Sequence, residues 1–209
     1  MSTAEIYEVT DGLWVWRQEH PDWHPDAGWE PPVSSVWLRC GGEVAVVDPM
    51  APPDAADPVW LRLDQAPPTL AIVLKPDHVR DVDRFIARYG ARGFGPHLYW
   101  PDNIPETELE GMEPGQELPG GIVTLYDGRG RGETPIWVPD QRALVFADAL
   151  TERDGQLLVW GTPWHEERVL PALRAMLDLP FEHVIVSHGA PVHDRAAFER
   201  ALSLPPFVE

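Results

Sequence analysis

The chain has 209 residues, 44% of them hydrophobic, and its 16 Lys and Arg against 34 Asp and Glu give a formal net charge of −18. A chain of this size suits one domain, here spanning residues 1–209, and its apolar content is too high for a disordered acidic polymer. The charge excludes nucleic acid and anionic lipid as main partners, because either would need clustered cations.

Cys40 is the only cysteine, which rules out an intrachain disulfide and a cysteine-based zinc site. Residues Met1–Thr10 carry Glu5 and Glu8 and do not read as a signal peptide. No stretch reaches the roughly 18 consecutive apolar residues of a membrane span. The expectation is a soluble cytoplasmic protein whose partner is a small-molecule substrate. The 24 prolines are scattered, which suggests stiff, defined loops.

The predicted elements start with strands at Ile6–Val9 and Leu13–Arg17, joined by the turn pair Asp11-Gly12. A Pro- and Trp-rich loop follows from His20 to Pro32. A second hairpin joins Val33–Cys40 to Glu43–Asp48 through Gly41-Gly42. A helix is expected within Asp54–Gln65, a short strand at Leu70–Leu74, and a helix over about Val79–Tyr89. The last of these has Val82, Phe85, Ile86 and Tyr89 on one face, and Gly90 closes it. Further strands are predicted at Pro96–Trp100, Ile122–Tyr126, Thr134–Val138, Ala143–Ala147, Gln156–Trp160 and His183–Ser187. Helices are predicted at Glu166–Leu177 and Asp194–Leu202, the latter capped by Asp194. Both halves run from strand-rich to helix-rich, a pattern that can pack sheet on sheet with helices outside.

Polar residues directly after buried strands are where α/β proteins collect reactive groups. Here they are Asp48, the cluster from His78 to Asp81, Glu133, Asp148 and His188. A lone His or Asp at a strand end is more often a cap or a hydrogen-bonded structural group. In their order and spacing, with the stretches Leu70–Asp81, Gly130–Pro135, Ala143–Leu150 and Val184–Pro191, the chain resembles the metallo-β-lactamase superfamily. The resemblance covers nearly the whole length. It implies a four-layer αββα sandwich and a hydrolase using one or two zinc ions.

The signature metal motif is altered. Pro76 stands where the first histidine belongs, Arg80 where the aspartate belongs, and Asp81 and Glu133 in place of two further histidines. Two readings stay open. In one, His78, Asp81, Glu133, Asp148 and His188 hold a single divalent ion, Zn, Mn or Fe, with Arg80 modulating the charge. The protein is then a divergent hydrolase of a small ester, lactone or related substrate. In the other no metal is bound, Arg80 pairs with Glu133 or Asp148, and the protein is a small-molecule binder or an acid–base catalyst.

The loop from His20 to Pro32 puts Trp23 and Trp29 among prolines, where they are expected to contact substrate, with His20 as an extra ligand or base. Trp14, Trp16 and Trp37 read instead as strand residues packed against the sheet. Gly128–Gly132 lacks the Gly-Lys-Ser/Thr of a phosphate loop and reads as the turn before Glu133. Arg129 and Arg131 are candidates for holding an anion at the cleft mouth. His97, His165, His183 and His193 read as surface or structural, and Cys40 as a small strand residue.

Overall fold

The computed structural model describes residues 3–130 and 132–208. Both predicted hairpins form: β1 (Glu5–Thr10) pairs with β2 (Leu13–Glu19), and β3 (Pro32–Cys40) with β4 (Glu43–Val47). β2 also pairs with β3. The parallel strands β5 (Leu70–Ile72), β6 (Arg92–Gly95) and β7 (Glu110–Gly111) then extend this sheet to seven strands among the described residues.

The second sheet begins with β8 (Glu117–Leu118), β9 (Ile122–Thr124), β10 (Ile136–Val138) and β11 (Ala143–Val145). After a separate hairpin of β12 (Leu150–Arg153) and β13 (Gln156–Val159), it is completed by β14 (His183–Ile185) and β15 (Val192–Asp194). β14 lies parallel to β11.

Strand side chains alternate between two faces, and the burial follows that period. Leu13 and Val15 of β2, Ala45 and Val47 of β4, Ala143 and Val145 of β11 and Ile185 of β14 share the core between the sheets, with Cys40 at its edge. The alternate residues Trp14, Trp16, Trp37 and Val46 face outward, as expected, under two helices. These are α1 (Pro58–Gln65), whose cap Asp57 accepts the Val59 amide, and α2 (Val82–Tyr89), which ends on Gly90 at φ 68°. On the other side Leu144, Phe146, Val184 and Val186 pack under α3 (Leu170–Ala175) and α4 (Arg195–Ala201). A π-helical turn over His165–Val169 leads into α3, and the Asp194 carboxylate caps α4 through the Ala197 amide at 2.7 Å. The layers are therefore helix, sheet, sheet, helix, the predicted αββα sandwich. Among the described residues no helix is long and apolar enough to cross a membrane.

The differences from the expected strands have local causes. The strand expected at Pro96–Trp100 lies instead at Arg92–Gly95, where a Cβ on Gly93 would overlap Leu109 Cδ2. Glycines needed for that close approach hide the strand from an apolar pattern. β7, β8, β12 and β15 are not among the expected strands, and at two to four residues they are too short to show a period.

Candidate metal centre

Two pairs of parallel strands, β4 with β5 and β11 with β14, bring the candidate residues to one edge of the sandwich. Asp48 follows β4, Lys75 to Arg80 follow β5, Asp148 follows β11 and His188 follows β14. Crevices beyond the carboxyl ends of strands are where such sheets place ligands. The segment after β14 is held across the sandwich: Val33 bridges to His188, and the Ser34 amide donates to the Ser187 carbonyl at 2.9 Å. Gly189 at φ 84° allows the chain to pass Glu152, whose backbone oxygen would lie 2.5 Å from a Cβ.

Three side chains converge here. One ligand atom each from His78, Asp148 and His188 lies within 4.8 Å of the other two. Nε2 of His78 and Nε2 of His188 each stand 3.3 Å from Asp148 Oδ1. Neither approach is aligned as a hydrogen bond, so this buried oxygen has no hydrogen-bond partner. His78 Nδ1 sits 2.8 Å from Asp48 Oδ2, while Asp48 Oδ1 accepts the Leu74 amide at 2.8 Å. A carboxylate can only accept, so Asp48 fixes the proton on Nδ1 and turns the Nε2 lone pair of a neutral His78 toward Asp148.

Two lone pairs facing each other at that distance repel, and a proton or a cation between them removes the conflict. Burial works against a charged His78, but Asp148 and Asp48 outweigh it and raise the ring's pKa to about 9. Burial alone would raise Asp148, yet His78 and His188 hold its carboxyl well below the usual range. Burial dominates at His188 and lowers it. Two imidazoles converging on an unpaired carboxylate oxygen form a donor set that fits a divalent ion with a further position left for water or substrate. A candidate three-residue metal site is therefore present.

Lys75 joins the site without belonging to any motif. Its ammonium lies 2.8 Å from Asp148 Oδ2 and 2.5 Å from Asp77, with Trp100 at 5.1 Å from Nζ to ring centroid. Burial opposes its charge, but Asp148 and Asp77 outweigh this and keep its pKa raised. Lys75 thus occupies one oxygen of Asp148 and leaves the other to the two imidazoles. The only hint in the sequence is its place directly after an apolar strand, as with Asp48.

The other predicted residues are distributed differently. Arg80 bonds neither Glu133 nor Asp148. Its guanidinium donates to the carbonyls of Ser34 at 2.7 Å and Asp48 at 2.8 Å and to Ser187 Oγ at 2.8 Å, from a backbone at φ 46°. It braces the two sheets beneath the cluster. Glu133 lies outside the ligand group because its oxygens are already occupied. They accept the amides of Ala147, Asp148 and Ala149 at 2.8–2.9 Å, and Arg129 pairs with the same carboxylate. Burial, against the pull of Arg129, raises Glu133 to about 7.

Asp81 is also elsewhere: its Oδ2 accepts the Ala51 amide at 2.8 Å, and it lines a different pocket. Arg129 does not await an anion at the mouth, since it is committed to Asp127 at 2.6 Å as well as to Glu133. Arg131 lies outside the described residues. Gly128 at φ 87° makes the predicted turn, where a Cβ would meet the Arg168 carbonyl at 2.5 Å.

The cluster opens into a cavity of about 350 Å³ lined by Trp29, Trp100, Trp160, Lys75 and His20 among others. Trp29 lies against His188 with centroids 5.4 Å apart, and His20 meets Trp29 edge-on at 5.3 Å. His20 is not one of the three converging donors. Burial, helped by Arg80, lowers its pKa to about 4. Trp23 is turned away, donating to the Trp29 carbonyl at 2.8 Å and lining the second pocket.

No protein-family model matches the sequence, and no curated protein matches it. Its three-dimensional likeness is clear. A metallo-β-lactamase from Pontibacter korlensis is 15% identical over 96% of this chain and 97% of its own, with a TM-score of 0.66. The metallo-β-lactamase FIM-1 from Pseudomonas aeruginosa, solved in a mono-zinc form, is 14% identical over 97% and 94%, TM-score 0.67. A metallo-β-lactamase family protein from Thermus thermophilus is 18% identical over 93% and 79%, TM-score 0.63. The chain has the metallo-β-lactamase fold.

Proposed function

We propose that this chain is a metal-dependent hydrolase of the metallo-β-lactamase fold that holds one divalent ion on His78 Nε2, His188 Nε2 and Asp148 Oδ1. Its substrate is a small ester, lactone or related molecule. The observation that carries this reading is the convergence of the two imidazole nitrogens on Asp148 Oδ1, an oxygen with no hydrogen bond, at the wall of a cavity. Two imidazoles and one carboxylate suit Zn and equally Fe(II), and the Pseudomonas aeruginosa neighbour supplies a single-zinc precedent.

A bound ion would supply Lewis acidity and an acidified water. The protein's own groups do the rest. Asp48 holds His78 in the tautomer that offers Nε2. Lys75 fixes the rotation of Asp148 from the cavity wall, its ammonium held between Asp148 and Asp77. Trp29, Trp100 and Trp160 narrow the cavity, exclude water and favour a substrate with an apolar acyl or alcohol portion.

One observation favours a second reading, a metal-free small-molecule binder. Lys75 already neutralises Asp148, and a protonated His78 resolves the lone-pair conflict without an ion. Hydrolysis of a panel of nitrophenyl esters and simple lactones, after zinc addition and again after chelation, separates the two. The hydrolase reading predicts activity that chelation abolishes and zinc restores, and that His188→Ala and Asp148→Ala each remove. Activity surviving both substitutions contradicts it.

A further inference from the structure

His20 lines a second and larger pocket, of about 520 Å³, besides the metal cavity. Its character is different. Glu19 and Asp81 place two carboxylates in the wall, and no lysine or arginine is among the described lining residues. Trp23 and Met50 supply an apolar surface. Gln18 is the telling member. It is only 9% exposed, and its Nε2 donates to the Ala51 carbonyl at 3.0 Å. A carbonyl can only accept, so the amide cannot be flipped, and Gln18 Oε1 is left buried with no hydrogen bond.

A wall with two acids, a free amide oxygen, an indole and no cation asks for a ligand that donates hydrogen bonds and carries positive charge. We propose that this pocket is a binding site for an organic ammonium group, a primary or secondary amine on a compact apolar or aromatic body. The ammonium meets the carboxylate side of the pocket, and the body rests on Trp23 and Met50, where a cation–aromatic contact adds to burial. The site stands apart from the three converging metal donors, and the proposal does not depend on hydrolysis.

Calorimetric titration with benzylamine, benzyl alcohol and benzoate near neutral pH tests it, with and without zinc. The expected result is one benzylammonium per chain, with benzyl alcohol weaker by about tenfold or more and benzoate not binding. Glu19→Gln and Trp23→Leu should each weaken benzylammonium several-fold, and Glu19→Gln with Asp81→Asn by about tenfold or more. Glu19 is exposed at the end of β2, so its single variant keeps the test valid if the double variant does not fold. Equal affinity for benzyl alcohol, no response to Glu19→Gln and Trp23→Leu, or no benzylammonium binding overturns the proposal. So does binding that appears only with zinc, because it would place the amine on the metal cluster.

Discussion

His78 Nε2 and Asp148 Oδ1 lie 3.3 Å apart with no hydrogen bond between them, although the Asp148 oxygen is buried. Asp48 on the far side of the imidazole makes this arrangement costly unless a proton or a metal ion joins the two. The chemistry of the site turns on which of them does.

Metal and proton compete at His78, so affinity depends on pH. With the ring's pKa raised to about 9 in the metal-free protein, binding an ion releases a proton throughout the neutral range. Zinc affinity should rise by up to about tenfold per pH unit between roughly pH 6.5 and 9. A pH-independent affinity over that range would contradict a ligand role for His78.

The same shift predicts the opposite trend for stability without metal. A pKa raised from 6.5 to about 9 contributes stability that is complete below pH 6.5 and lost as pH rises through about 9. Glu133, raised to about 7, acts with the same sign at lower pH. Chelated protein should therefore melt at a lower temperature at about pH 9 than at about pH 7.5, and His78→Gln should flatten the difference. Thermal scans across that interval check it.

Asp48→Asn should weaken zinc binding by roughly 10- to 100-fold, since a neutral amide no longer fixes the His78 tautomer. The fold should persist, because the asparagine oxygen still accepts the Leu74 amide. Zinc titration of the folded variant measures the effect, and unchanged affinity would remove Asp48 from the account.

Glu133→Gln separates a structural carboxylate from a ligand. Its oxygens serve three backbone amides and Arg129, so the variant should lose about 2–3 kcal/mol in urea denaturation. Zinc stoichiometry should be unchanged. Lost metal with intact stability would return Glu133 to the ligand set.

The parts of the fold readable from the sequence are those with a strong local signal. The spacing of Val82, Phe85, Ile86 and Tyr89 with Gly90 beyond them marks α2, and Asp194 marks the start of α4. The apolar runs ending at Asp48, Asp148 and His188 locate the rim where the site forms. What escapes depends on contacts between distant segments. Lys75 follows a strand of one sheet and Asp148 a strand of the other, so only the packing of the two sheets brings them together. Asp81 and Glu133 have the chemistry of ligands, but Asp81 gives one oxygen to the Ala51 amide and lines a different pocket, and backbone amides and Arg129 claim the oxygens of Glu133. Residue type shows what a side chain can bind, whereas its backbone neighbours determine what remains free to bind.

The central claim is that His78, His188 and Asp148 hold one ion, and metal stoichiometry tests it most directly. Protein purified without chelator and dialysed against zinc should retain about one equivalent, and Asp148→Asn should retain little. Wild-type protein that holds less than about a tenth of an equivalent after zinc, manganese and iron reconstitution would contradict it.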